Sequence, residues 1–204
     1  REHRLRADLR AVTVPDRDER AVVHQSEQAF LWCRDRASVA VGCRIRLSAE
    51  RADGFRLKGC WLSEIRDDAV ENDYLLSGTI EDCLFDGCFS GISVDPAKND
   101  RDGTKEIVRI DGSLIRMHAY LAKGEITHQA PVKASDVSPS LRITGSVFAL
   151  AAANMRGFHR LKRTWLKTIE SRDNVLLWLP DEPIPFELPL PPSGFRVLTG
   201  ADAR

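Results

Sequence analysis

Much that would announce a function is missing from this sequence. No apolar run reaches the roughly 18 residues of a membrane-spanning helix, so no span is expected. Net charge is missing too: thirty basic and thirty acidic side chains cancel, leaving no global field to draw in nucleic acid or an anionic membrane. The patterns G-x-S-x-G, G-x-x-x-x-G-K, G-x-G-x-x-G and H-E-x-x-H do not occur, so serine-hydrolase, nucleotide-binding and zincin readings find no support. There is no Cys-x-x-Cys, no Cys/His pair at zinc spacing and no D-x-D-x-D-G calcium loop, which argues against a structural metal knot. No secretory leader opens the chain at Arg1; the expectation is that a preceding segment was removed or lies outside this sequence.

What is present is a single-domain length of 204 residues with 43% hydrophobic side chains, enough for a sizeable core. The five cysteines, Cys33, Cys43, Cys60, Cys83 and Cys88, are odd in number, so at least one thiol is unpaired within the chain. Each sits in an apolar pattern, which favours buried free thiols over a disulfide framework.

The chain repeats itself. Leu57-Lys58-Gly59-Cys60-Trp61-Leu62 matches Ile80-Glu81-Asp82-Cys83-Leu84-Phe85, then Ile110-Asp111-Gly112-Ser113-Leu114-Ile115, then Ile143-Thr144-Gly145-Ser146-Val147-Phe148. Weaker copies centre on Cys43 and Asn174, and successive copies lie 17, 23, 30, 33 and 28 residues apart. Self-similarity at such intervals marks a solenoid. Within each copy apolar and polar residues alternate, as in Val108-Arg109-Ile110, and residues 30–148 show no sustained helical period. Short strands with irregular loops, one coil per repeat, give an all-β, right-handed parallel β-helix. Cys43, Cys60, Cys83, Ser113, Ser146 and Asn174 are expected to line up as one interior ladder at a bend, where a small or self-bonding side chain is needed.

Residues 1–29 read as an N-terminal rung or cap, with short strands over 8–14 and 21–24 around the Pro15-Asp16 turn. Residues 30–180 are the coils. Residues 116–133 are polar and irregular, an excursion from the coil. Phe158, Leu161, Trp165 and Leu166 take i, i+3, i+7, i+8 spacing, which predicts a short amphipathic helical insertion near 150–168. The prolines at 180, 183, 185, 189, 191 and 192 forbid further coils, so 181–204 is expected to be an extended tail along the outside that covers the open end of the coils.

Two clusters could carry chemistry. The stretch 65–74 packs Asp67, Asp68, Glu71 and Asp73 into seven residues. Aligning Ala69-Val70 with Gly91-Ile92 turns Val70 and Ile92 inward, so Glu71 and Asp73 face out beside Asp95. These three are the candidate metal ligands, and calcium the cofactor such oxygen donors point to. Asp67 and Asp68 at the adjoining bend read either as backbone caps or as site residues. The second cluster is Arg116, His118, Tyr120, Lys123, Glu125, His128 and Lys133. β-Elimination from a uronate needs a base, for which Lys123, Arg116 or His128 serves, and a cationic clamp, for which Lys133 serves. Glycoside hydrolysis needs paired carboxylates, available from Asp67 or Asp68 with Glu71, or from Glu125. His118 aligns with Ile65 and Cys88 and reads as half-buried. Trp61, on the outer face, could stack on a sugar, while Trp32, Trp165 and Trp178 read as packing residues.

Residues 30–180 resemble the right-handed parallel β-helix superfamily of pectate lyases and related polysaccharide-acting enzymes. More narrowly, Asp67-Asp68-Ala69-Val70-Glu71-Asn72-Asp73, Ser77-Gly78-Thr79-Ile80 and Gly87-Cys88-Phe89-Ser90-Gly91-Ile92-Ser93 are similar to uncharacterised bacterial β-helix proteins. The resemblance implies an extracellular or periplasmic protein acting on an acidic polysaccharide or other glycan, as a uronate polysaccharide lyase. It also implies calcium held by outward carboxylates, here Glu71, Asp73 and Asp95. The fold equally hosts glycoside hydrolases and non-catalytic carbohydrate-binding or structural proteins, so these stand as alternatives.

Overall fold

Strict alternation sends every second side chain to the same side of a strand, and wherever this sequence alternates the chain is a strand. The computed structural model describes residues 54–96, 100–152 and 155–203, with the backbone alone of 21–23, 29–32, 39–41, 45–47, 201 and 203. The early chain gives β1 (Ala21–Val23), β2 (Ala29–Trp32), β3 (Val39–Val41) and β4 (Ile45–Leu47). Two full turns follow: β5 (Phe55–Lys58), β6 (Trp61–Ser63) and β7 (Asp68–Glu71), then β8 (Gly78–Glu81), β9 (Leu84–Cys88) and β10 (Ser90–Ser93). The next turn holds β11 (Ile107–Asp111), β12 (Leu114–Met117), a hairpin of β13 (Tyr120–Ala122) and β14 (Glu125–Thr127), and β15 (Val132–Lys133). The last part comprises β16 (Ser140–Thr144), β17 (Val147–Leu150), α1 (Phe158–Lys167), β18 (Thr168–Arg172), β19 (Asn174–Trp178), β20 (Phe195–Thr199) and a 3-10 turn at Gly200–Ala203.

The described chain is all-β apart from α1 and that turn. Its strands form three parallel sheets, which we call A (β1-β4-β7-β10-β15), B (β18-β16-β11-β8-β5-β2) and C (β20-β19-β17-β12-β9-β6-β3). From β2 to β17 the chain passes through B, C and A in that cyclic order, one strand of each per turn. Among the described residues only β13 and β14 pair antiparallel. Among the described residues no helix is long and apolar enough to cross a membrane.

The core is a set of stacked rows. Leu57, Ile80, Ile110 and Ile143 are in register in sheet B; Leu62, Phe85, Ile115, Phe148 and Leu176 in sheet C; Val70, Ile92 and Val132 in sheet A. All are buried, and each contributes roughly 1.5–3 kcal/mol by leaving water.

The bend from sheet B to sheet C is the same in five turns. Its first residue has positive φ: Gly59 (63°), Asp82 (52°), Gly112 (55°), Gly145 (57°) and Asp173 (57°). A Cβ on Gly112 would meet nothing within 4 Å, so glycine serves there for its left-handed backbone and not for space. The next residue is the expected ladder. Cys83 N–H donates to Ser113 Oγ (3.1 Å), Ser113 N–H to Ser146 Oγ (3.2 Å), and Ser146 N–H to Asn174 Oδ1 (2.9 Å). Each hydroxyl or thiol donates in turn to the carbonyl two residues back, Cys60 to Lys58, Cys83 to Glu81, Ser113 to Asp111 and Ser146 to Thr144. Cys60 and Cys83 are thus buried structural thiols, and Cys88 is also buried and free. Cys33, Cys43, Trp32 and the strand expected over 8–14 lie outside the described residues or have undescribed side chains.

Three boundaries differ from the sequence reading. Residues 147–150 belong to β17, so the helical insertion begins only at Phe158. In α1, Leu161 and Trp165 are buried but Leu166 is 65% exposed, because the buried stripe takes the Leu161–Thr164–Trp165 face. α1 occupies the place of a sheet-A strand and covers β15, with Thr164 Oγ1 donating to the Val132 carbonyl (2.8 Å). The proline-rich stretch covers the end of the coils as expected, but the tail is not extended throughout. It crosses the end of the stack, burying Leu188 and offering the Pro189 carbonyl to Trp165 Nε1 (2.8 Å). It then returns as β20, parallel to β19. Phe148, Trp165 and Phe195 close that end, with ring centroids 5.2–6.3 Å apart.

Candidate functional site

Sheet A and its approach from sheet C carry most of the residues the sequence singles out. Val70 and Ile92 point inward as expected, and Glu71 lies in one row with Ser93 and Lys133. Asp68 is buried at 5% exposure, and Lys133 Nζ sits on both of its carboxylate oxygens at 2.9 and 2.7 Å. The expected clamp and the expected catalytic acid therefore come together, as partners of each other. A carboxylate so held neutralises the ammonium that was to grip a uronate.

The candidate metal ligands separate. β7 ends at Glu71, so strand alternation stops applying, and Asp73 is buried at 6% exposure in the following turn. That turn is braced by Asn72, whose Oδ1 accepts from Leu76 N–H (3.0 Å) while Nδ2 donates to the Leu76 carbonyl (2.9 Å). Asp95 is ion-paired with Arg160 of α1. Among the described residues no three His, Cys, Asp or Glu side chains converge as a metal-holding group. Asp67 is exposed, and its carbonyl caps Ser90 N–H (3.2 Å).

The excursion is real but shorter than 116–133. Arg116 still belongs to β12, ion-paired with Asp86, and that hydrogen bond raises the guanidinium pKa further. A register shift between Arg116 and Met117 places Met117, not His118, beside Cys88; His118 is consequently exposed. Tyr120 anchors the hairpin to the coil. Its hydroxyl donates to the Gly87 carbonyl (2.6 Å) and lies 3.3 Å from Glu64 Oε2. Arg66 stacks 5.3 Å from its ring centroid and His118 meets it edge-on at 4.9 Å. Burial, with Glu64 nearby, pushes the phenol up to about 12. Lys123 forms the hairpin tip with Gly124, both at positive φ (52° and 87°), and is exposed. Glu125 is exposed and faces Arg156 at 3.8 Å.

His128 is fully buried. Its Nδ1 lies 2.7 Å from the Gln129 carbonyl, which can only accept, so Nδ1 carries the proton. Nε2 then accepts from Ala151 N–H (3.2 Å) and Ala152 N–H (3.1 Å). Burial lowers its pKa to about 4. Both nitrogens are engaged by backbone, which leaves neither for a substrate proton. Cys88 is no nucleophile either, since burial and the charge of Asp86 push its thiol up to about 12.

Trp61 does face outward, in a row with Leu84, Leu114, Val147 and Val175. That row is apolar and half-buried, while the outward row beside it carries the Asp86–Arg116 pair. The outer face of sheet B carries charge in both of its rows. Arg56, Thr79, Arg109, Arg142 and Glu170 form one row, and Lys58, Glu81, Asp111, Thr144 and Arg172 the next. Arg56 (2.5 Å) and Lys58 both hold Glu81, which lowers its pKa, Lys58 more than Arg56. Arg142 faces Glu170 at 3.4 Å. Arg109 between them is exposed and makes no ion pair among the described residues. Sequence reasoning passed over this row, although the alternation at Val108-Arg109-Ile110 already turns the arginine outward.

Comparison of the chain with family models, with curated proteins and with solved structures finds no match.

Proposed function

We propose that this chain is a right-handed parallel β-helix that binds an acidic polysaccharide outside the cytoplasm without cleaving it, using the outer face of sheet B. The handedness rests on the general rule that about 98% of parallel crossovers are right-handed. The observation that carries the binding reading is the row Arg56–Thr79–Arg109–Arg142, in register over four rungs with Arg109 exposed and unpaired among the described residues. Rungs about 4.8 Å apart present an extended, planar array. A guanidinium matches a uronate carboxylate with two parallel hydrogen bonds. The non-catalytic form is favoured over the lyase because His128, Lys133 with Asp68, and Arg116 with Asp86 are all committed to internal bonds.

Titration calorimetry with polygalacturonate tests this. Binding that weakens about tenfold in Arg109→Ala, the loss of one charge-assisted contact, and stays unchanged in Lys123→Ala supports it. Ultraviolet absorbance from unsaturated uronate product would instead restore the lyase reading. Equal affinity of wild type and Arg109→Ala sinks the assignment to sheet B.

A further inference from the structure

Among the described residues between β17 and α1, the backbone is tied to the previous turn through His128. Besides accepting Ala151 and Ala152 N–H at its Nε2, His128 accepts Arg156 N–H at its carbonyl (2.8 Å) and bridges Met155 in parallel. This segment leads directly into α1, which lies over β15, the outermost strand of sheet A. We propose that His128 is an acid-released latch holding α1 as a lid over the open edge of sheet A. The device is independent of glycan binding on sheet B.

The imidazole can accept two N–H bonds only while Nε2 is bare. A proton there would point at two N–H groups and place a cation in a fully buried site. The charged neighbours offer no rescue. His118 opposes a second positive charge. Arg156 carries its own charge beside Glu125, and Gln129 contributes only a carbonyl, already bonded to Nδ1–H. On α1 itself Arg160 holds Asp95 and Arg163 holds Asp136 (2.7 Å).

The direction follows from linkage. With the latch closed the pKa is about 4, and with it open the ordinary value of about 6.5 returns. The open form binds the proton the closed form refuses, so opening is favoured increasingly as pH falls from 6.5 towards 4. Between pH 7 and pH 5 the open population rises about 20-fold.

Hydrogen exchange on the full chain, corrected for intrinsic rates, reads this at the amides of Ala151, Ala152 and Arg156 and along α1. Protection there should fall about 20-fold from pH 7 to pH 5, with the amides of β11 and β16 unchanged. In His128→Gln, whose amide oxygen accepts without titrating, the fall should disappear. A fall shared equally by β11 and β16, no fall, or a fall retained in His128→Gln overturns the latch. Should that variant not fold, nitrogen NMR of the wild-type imidazole decides. Protonation of His128 near pH 6.5 with α1 still protected also overturns it.

Discussion

Two corners of the same stack are built on opposite plans. Between sheets B and C five turns bend alike, each at a left-handed residue, and in three of them the next side chain, Ser113, Ser146 or Asn174, accepts from the turn before. Between sheets C and A no two of the later turns agree. One is tight, through Phe89; one carries the β13–β14 hairpin pinned by Tyr120; one is replaced by α1. The first corner spreads its stability over many small equal bonds, so damage is local. The second rests on single long-range pairs, so one change removes a whole support.

The largest expected effect lies at the irregular side. Asp68→Ala strands Lys133, whose side chain is 19% exposed, and should cost about 3 kcal/mol, seen as a fall of roughly 10 °C in melting temperature. Adding Lys133→Met should recover most of it; no recovery would mean that Asp68 matters for something other than this pair. At the regular corner, Asn174→Ala removes the acceptor for Ser146 N–H and the donor to the Ile143 carbonyl (2.8 Å). Urea unfolding should show a loss of about 2 kcal/mol. Gly112→Ala forces a β-carbon into the left-handed region without a clash, for about 1 kcal/mol. Gly112→Asp should cost less, since Asp82 and Asp173 hold the same bend; the reverse order would show that the bend is selected on space. Smallest is Glu81→Gln on the outer face of sheet B, under about 1 kcal/mol because the pair is partly exposed.

The same contrast explains what could be read from the sequence. The ladder was legible because each turn solves one local problem with the same few residue types, so Gly-Ser, Asp-Cys and Asp-Asn recur at matching places. The alternation that buries Leu57, Ile80, Ile110 and Ile143 was legible for the same reason. The supposed site was not. Asp68 and Lys133 stand 65 residues apart, and no local spacing encodes their meeting. Asp73 misled because alternation was carried past the end of β7. His118 misled because Gly87 is an extra residue in β9, between the partners of Arg116 and Met117, and shifts the register by one. His128 resembled a loop base, and its burial comes from Ala151 and Ala152, a full turn later.

The repeated corner also has a consequence for how such a chain can change length. Ser113 and Ser146 each offer a hydroxyl acceptor to the turn before and give a backbone N–H to the turn after, so the two sides of such a rung are complementary. Duplicating or deleting one whole period between Cys83 and Ser146 leaves each junction with the partner it already knew. The number of turns is therefore a dimension in which the molecule can grow or shrink by gene duplication, provided the closing cluster of Phe148, Trp165 and Phe195 is carried along as the terminus.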